Sequence, residues 1–247
     1  FEQNFEYSDA LTTADRVITL RYLITMLAEE RGMLATFMPK PFTDRTGSGL
    51  HLHLSLRTGG EAIFPAGEET AQHGLGLSAV AYSFVAGLLE HAGALQAVIA
   101  PTVNSYKRTG AVSTTSGASW APRTPTYGGN DRTHYIRVPD DQRVELRGGD
   151  GSANPYLAIA GAIGAGLDGI KRNLDPGAPG AGRQAEPLPG TLLQAIDALA
   201  ADDVLTSVLD AAGEGVAAYF SRIKREEFHA YHSQVSAWEI DQYLSAF

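Results

Sequence analysis

Gly49-Leu50-His51-Leu52-His53-Leu54-Ser55-Leu56 alternates strictly between apolar and polar side chains. A period-2 strand therefore carries its leucines on one face and His51, His53 and Ser55 on the other. Arg143-Val144-Glu145-Leu146-Arg147 repeats the pattern, with two guanidiniums and a carboxylate in front of Val144 and Leu146. A third segment, Arg132-Thr133-His134-Tyr135-Ile136-Arg137-Val138-Pro139, adds two more arginines. Arg132 and Arg137 cannot share one ideal strand face at that spacing, so a bulge or a loop position for Arg132 is expected. Imidazole, carboxylate and several arginines point to a divalent metal beside bound phosphate: the guanidinium fork matches phosphate and carboxylate oxygens, and imidazole ligates cations. The bland alternative is a solvated outer sheet face with scattered charges. Three such segments in one chain weigh against it.

The chain has 247 residues, 44% hydrophobic and 19% charged, enough to bury the core of one large domain or two small ones and unlike a disordered composition. No membrane span is expected, because the most apolar stretch, residues 75–100, is interrupted by Ser78, Ser83, Glu90, His91 and Gln96 and reads as a buried helix. A net charge of −9 argues against a nucleic-acid partner, whose phosphates require a basic surface. The absence of cysteine excludes a disulfide scaffold, thiol catalysis and cysteine-ligated zinc, and is compatible with a cytoplasmic location. Phe1 follows neither an initiator methionine nor a signal pattern, so the start reads as a cut.

Residues 1–7 read as a short strand. Thr12 and Thr13 offer caps for an amphipathic helix marked by Val17, Leu20, Ile24 and Leu27 and ended by Gly32. Residues 34–42 read as a strand whose Pro39 and Pro41 mark an edge position or a strand end, leading through a loop whose Gly47 and Gly49 allow close backbone approach to a ligand. A turn follows at Gly59-Gly60, then the long helix to about Ala100, and a Ser/Thr/Gly-rich loop over residues 102–118. Asn154-Pro155 is a helix start, cap followed by proline at the first position, and the helix runs to about Lys171. Its small residues Ala158, Gly161, Ala162, Gly164, Ala165 and Gly166 imply close packing on a neighbour. Residues 173–190 form a Pro/Gly-rich excursion, and three or four helices complete the chain. Tyr219, Ile223 and Phe228, at helical spacing, read as core.

Read in order, these segments resemble the catalytic domain of the glutamine synthetase superfamily. The resemblance is carried by Ala35-Thr36-Phe37-Met38-Pro39-Lys40-Pro41, the Gly47 to Leu56 run, Asn104-Ser105-Tyr106-Lys107-Arg108, Asp131-Arg132-Thr133 with Ile136-Arg137-Val138-Pro139, Arg143 to Arg147, and Ala153-Asn154-Pro155-Tyr156-Leu157-Ala158 with Gly166-Leu167-Asp168-Gly169-Ile170. It implies an α+β fold over residues 1–247, a curved and mainly antiparallel sheet backed by helices. It further implies an ATP-dependent ligase that phosphorylates the side-chain carboxylate of glutamate and lets ammonia or a small amine displace phosphate, with Mg2+ or Mn2+ as cofactor. Such chemistry needs charge neutralisation and positioning more than covalent catalysis.

By the same resemblance, Glu2 matches a ligand of one metal, and His51 and Glu145 match ligands of the other. Gly47, Arg108 and Arg147 match contacts to the amino-acid substrate. Arg132, Arg137 and Arg143 match arginines facing the nucleotide phosphates, the first two with a catalytic role. His53 matches a phosphate contact, and Tyr7 and Ser55 match residues beside adenine and ribose. Two departures stand out. The small β-grasp domain and further metal-ligand glutamates that precede this region in the family are absent before Phe1, which predicts that the chain alone is inactive. Ser119-Trp120-Ala121-Pro122 stands where ammonia-specific members carry an acidic residue, so Trp120 becomes the candidate amine contact, a pattern most similar to type III-like glutamine synthetases and γ-glutamylmethylamide synthetases. A homo-oligomer, a double ring of twelve subunits, is expected on resemblance alone. The rival readings are a guanidino kinase of the same general fold and a non-catalytic relative retained for binding.

Overall fold

The computed structural model describes residues 2–67, 73–110, 121–180 and 186–247. Nine helices and two small sheets are present among the described residues. Strands β1 (Leu52–Leu54), β4 (Tyr127–Gly128), β5 (Ile136–Asp140) and β6 (Arg143–Leu146) form one sheet in the order β1-β6-β5-β4. The β1–β6 and β6–β5 pairings are antiparallel and β5–β4 is parallel. A hairpin of β2 (Arg57–Thr58) and β3 (Glu61–Ala62) turns at Gly59 and Gly60, both at positive φ, where glycine alone is unstrained.

Register gives the sheet its two faces. Leu52, Leu146, Ile136 and Tyr127 are aligned across the four strands, and the last three are buried in the core. The adjacent row is His53, Glu145, Arg137 and Gly128. Since successive Cβ atoms alternate, the first row packs on the helices and the second is presented on the opposite face. Arg132 lies in the turn before β5, the loop position that is one of the two expectations for it; the register shift falls further on, between Arg137 and Asp140.

Helices α2 (Ala79–Glu90), α3 (Ala92–Ile99) and α5 (Pro155–Lys171) back the apolar face. Helix α5 begins as its sequence predicts: Asn154 Oδ1 accepts from Tyr156 N at 3.0 Å, and Pro155 occupies the first turn. Its small residues allow the expected close approach, because a Cβ on Gly169 would overlap the Ser83 carbonyl and one on Gly87 would overlap the Ala165 carbonyl. Helices α6 (Leu192–Ala200), α7 (Asp203–Asp210), α8 (Val216–His232) and α9 (Ala237–Tyr243) complete the chain.

Several local expectations need correction. The single helix over residues 75–100 is two, joined at His91, and starts only at the Ser78 cap. Helix α1 (Ala10–Glu29) is capped by Asp9, whose Oδ1 accepts from Thr12 N at 3.0 Å; the Thr13 hydroxyl instead donates to the Asp9 carbonyl at 2.8 Å. Residues 2–7 and 34–42 form no strand. In the second stretch a side-chain amide takes the place of a strand partner: Lys40 N donates to Asn104 Oδ1 at 2.7 Å and Asn104 Nδ2 returns to the Lys40 carbonyl at 3.0 Å. Within 102–118, Thr102 and Ser105 form a capping box for α4 (Val103–Thr109), so these polar residues start a helix; residues 111–120 lie outside the described residues. Tyr219 is 58% exposed, with the Arg222 guanidinium 5.2 Å from its ring, and is not core; Ile223 and Phe228 are half-buried.

Candidate active site

The polar row converges on Glu145. Its side chain is 3% exposed, with Oε1 2.8 Å from His51 Nδ1 and 2.9 Å from Arg147 Nη1, and Oε2 2.5 Å from Arg137 Nε. Burial by itself would raise this carboxyl. The hydrogen bond from His51 and the charges of Arg147, His51 and Arg137 overcome burial and hold it at about 2, so it is anionic at neutral pH. His53 pairs with Glu145 across the strands, its Nε2 4.0 Å from Oε1. Its pKa is lowered by burial and by the positive charges of Arg143 and Arg137, against the pull of Glu145, which favours neutral imidazole.

Arg143 stands at the more exposed end of β6, 3.0 Å from Asp140 across the β5–β6 turn. Burial lowers the Arg147 pKa, Glu145 raises it, and the charges of Arg137 and Arg132 lower it, which places the turn arginine electrostatically in the same cluster. Five of the predicted residues, His51, His53, Arg137, Glu145 and Arg147, are thus brought together by strand register, with Arg132 and Arg143 at its margins.

Arg108 arrives from α4. It is buried, and its Nη2 donates to the carbonyls of Gly148 and Gly149, each at 2.7 Å. The glycine loop is shaped around it: a Cβ on Gly47 would stand 2.7 Å from Arg108 Cγ, and a Cβ on Gly49 would meet both His51 Nε2 at 3.1 Å and Arg108 Nη1 at 3.5 Å. Arg108 and the His51–Glu145 pair therefore border one another across Gly49.

Tyr7 is exposed, with Arg57 stacked over its ring at 5.8 Å, and Ser55 is half-buried just beyond β1. Glu2 is exposed in the segment before α1. Trp120 lies outside the described residues. Among the described residues no group of three or more His, Asp or Glu side chains is gathered as for a metal ion. His51 and Glu145 still offer adjoining nitrogen and anionic oxygen donors, which suits two positions around a divalent cation.

Sequence reading left His134 and Asp150 unassigned. The His134 imidazole lies over Gly128, in the volume a side chain there would fill, and Nδ1 is 3.0 Å from Thr126 Oγ1. Gly128 aligned with Arg137 is a signal visible only after pairing. Asp150, wholly buried between glycines, carried a sequence signal in its setting.

A mixed sheet with a cationic face around a buried carboxylate, backed by helices, defines a domain suited to anionic substrates. Residues 1–243 match the family model of the glutamine synthetase catalytic domain, and the chain belongs to that family. It is 43% identical over 251 residues to a glutamine synthetase of Rhizobium leguminosarum, covering 99% of this chain and 57% of that protein. It is 42% identical over 261 residues to the glutamate–methylamine ligase of Methyloversatilis universalis, covering 100% of this chain and 57% of that protein. Among solved structures, a GmaS/ADP complex superposes with a TM-score of 0.88 at 47% identity, covering 98% of this chain and 56% of that one. The glutamine synthetase of Plasmodium falciparum gives 0.83 at 26% identity, covering 96% and 55%. The chain thus spans little more than half the length of these relatives.

Proposed function

We propose that the protein is an ATP-dependent ligase that joins ammonia or a small amine to the γ-carboxylate of glutamate through a γ-glutamyl phosphate. The observation that carries this reading is the row His53–Glu145–Arg137 with His51 and Arg147 closed around one buried carboxylate. The names of the similar proteins, glutamine synthetase and glutamate–methylamine ligase, and the ADP bound by a structural relative support it.

On this reading His51 and Glu145 hold one divalent cation, Mg2+ or Mn2+, and Glu2 contributes to a second. The cations supply charge neutralisation for the reacting carboxylate and phosphates. Arg108, Arg147 and Gly47 hold glutamate. Arg132, Arg137, Arg143 and His53 face the nucleotide phosphates, and Tyr7 and Ser55 lie towards the nucleoside. A glutamate γ-oxygen forms a bond to the terminal phosphorus as ADP leaves; the amine nitrogen then bonds the acyl carbon, phosphate departs and the nitrogen loses a proton. Arg132 and Arg137 stabilise charge on the transferring group. Trp120 contacts the amine. No helix among the described residues is long and apolar enough to cross a membrane. The net charge of −9 disfavours nucleic acid. By family resemblance we read the enzyme as cytoplasmic and as a homo-oligomer, a dodecamer.

The test is phosphate release by the full-length protein with glutamate and a panel of amines. Release that requires both, with formation of a γ-glutamylamide, is expected. Phosphoryl transfer without an amine requirement would replace the ligase by a kinase, and absence of metal-dependent nucleotide binding would leave a non-catalytic relative.

A further inference from the structure

Asp150 is completely buried in the turn that leads from β6 to α5. Its Oδ1 is committed to the turn, accepting from Ser152 N at 3.0 Å and from the Ser152 hydroxyl at 2.5 Å, while Oδ2 has no hydrogen bond. A buried carboxylate in that condition is costly unless cations neutralise it. Two guanidiniums lie within reach of its charge, neither in direct ion-pair contact with it. Arg108 is clamped to the carbonyls of Gly148 and Gly149, the residues immediately before Asp150. Arg21 of α1 lies over the Phe37 ring at 6.0 Å, and Phe37 packs against Gly151, the residue immediately after. Burial lowers both guanidiniums and the Asp150 charge raises both.

Arg108 has spent Nη2 on backbone carbonyls, whereas Nη1 borders the space at Gly49 and His51. Its net charge at that space depends on what neutralises the rear of the guanidinium. We infer that Asp150 is a positioning residue for Arg108: buried directly after the two glycines whose carbonyls hold the guanidinium, its charge balances Arg108 from behind the site while the front edge receives the substrate carboxylate, and Arg21 shares that charge, so α1 is tied electrostatically to the substrate end of the site. This rests on the reading of Arg108 as a glutamate-binding arginine. Asp150 itself touches no ligand.

The experiment compares full-length wild type, Asp150→Asn, Arg21→Met and Ser152→Ala by steady-state kinetics and by equilibrium binding of glutamate. Asp150→Asn should raise the KM and Kd for glutamate by about tenfold, the lower end of what loss of an orienting partner costs, with kcat and the KM for ATP within about twofold. Arg21→Met should move the glutamate constants in the same direction by less. Ser152→Ala, which removes only the turn hydroxyl, should leave them near wild type. An unchanged glutamate constant in folded Asp150→Asn overturns the inference, as does an equal rise for glutamate and ATP or reproduction of the effect by Ser152→Ala. Should Asp150→Asn not fold, Arg21→Met decides by the same criterion. Glutamate binding that weakens in the variants of a protein without ligase turnover would support Asp150 and reject the ligase; a wild type that binds no glutamate overturns both.

Discussion

At the scale of single residues, Glu145 balances three cationic or hydrogen-bonding partners against its own desolvation. Its folded pKa of about 2 lies below the ordinary 4.5, so the stabilisation it contributes is fully present above 4.5 and disappears as pH falls towards 2. The gap corresponds to about 3 kcal/mol. The stability difference between wild type and Glu145→Gln, measured by urea unfolding, should accordingly shrink across that acid window; a constant difference would show that the ion cluster does not set it. Glu145→Ala should nearly abolish turnover, and because it leaves Arg137 and Arg147 buried without their carboxylate it should also destabilise by about 3–5 kcal/mol. Glu145→Gln, which keeps the shape, should weaken metal-dependent nucleotide binding by about 10–100-fold, read by titration. An indole at position 120 holds an alkylammonium through its ring face, a contribution of about 0.5–2 kcal/mol. Wild type should therefore show a higher kcat/KM for methylamine than for ammonia, and Trp120→Glu should shift the ratio towards ammonia.

Between elements, the contact of α2 with α5 is the tightest point of the scaffold. Gly87 and Gly169 face each other backbone to backbone, and Gly166 lies under the Phe84 ring. Neither backbone can yield as a flexible side chain would, so Gly87→Ala and Gly169→Ala should each cost about 1–3 kcal/mol or more. Thermal unfolding checks this, with the KM values of the surviving folded enzyme unchanged because the contact lies behind the sheet. The small-residue stripe of α5 announced such packing, and Asn154-Pro155 announced where the helix begins. The partner helix and the depth of approach were not legible, because a glycine contact is defined by residues some eighty positions apart.

Over the whole molecule, His91 joins three parts of the helical layer. Its Nδ1 is 2.6 Å from Asp202 Oδ2, at the cap of α7, and its Nε2 is 3.1 Å from Asp168 Oδ2, on α5. Arg172 pairs with Asp168 and reaches Glu90. Burial would lower His91, but the hydrogen bonds it donates to both carboxylates raise it above its ordinary 6.5. A raised imidazolium contributes stability fully present below 6.5 and lost as pH rises through its folded pKa. Wild type should lose its stability advantage over His91→Gln as pH rises above 6.5, measured by unfolding at a series of pH values; an advantage that grows with pH there would reverse the assignment. On the outer surface, Leu11, Tyr22, Leu23, Met26 and Leu27 of α1 are exposed together with Trp238, Ile240 and Leu244 near the end of the chain. Buried in an assembly, such residues would account for their apolar character. Full-length protein should therefore run as a homo-oligomer in light scattering.

The sequence by itself determined the strand faces, the chemical character of the site and the start of α5, because strand alternation and helix capping are local properties that a few neighbouring residues impose. It also carried the family through motifs whose spacing survives without coordinates. Only the tertiary structure decided that Glu145 stands between Arg137 and His53, that Arg108 is pinned by Gly148 and Gly149, that Asn104 takes the place of a strand partner for Lys40, and that the buried Asp150 acts by its charge on Arg108 and Arg21. Those arrangements depend on register, close backbone approach and charge balance between distant segments, which are settled when the elements pack and leave no periodic trace in the chain.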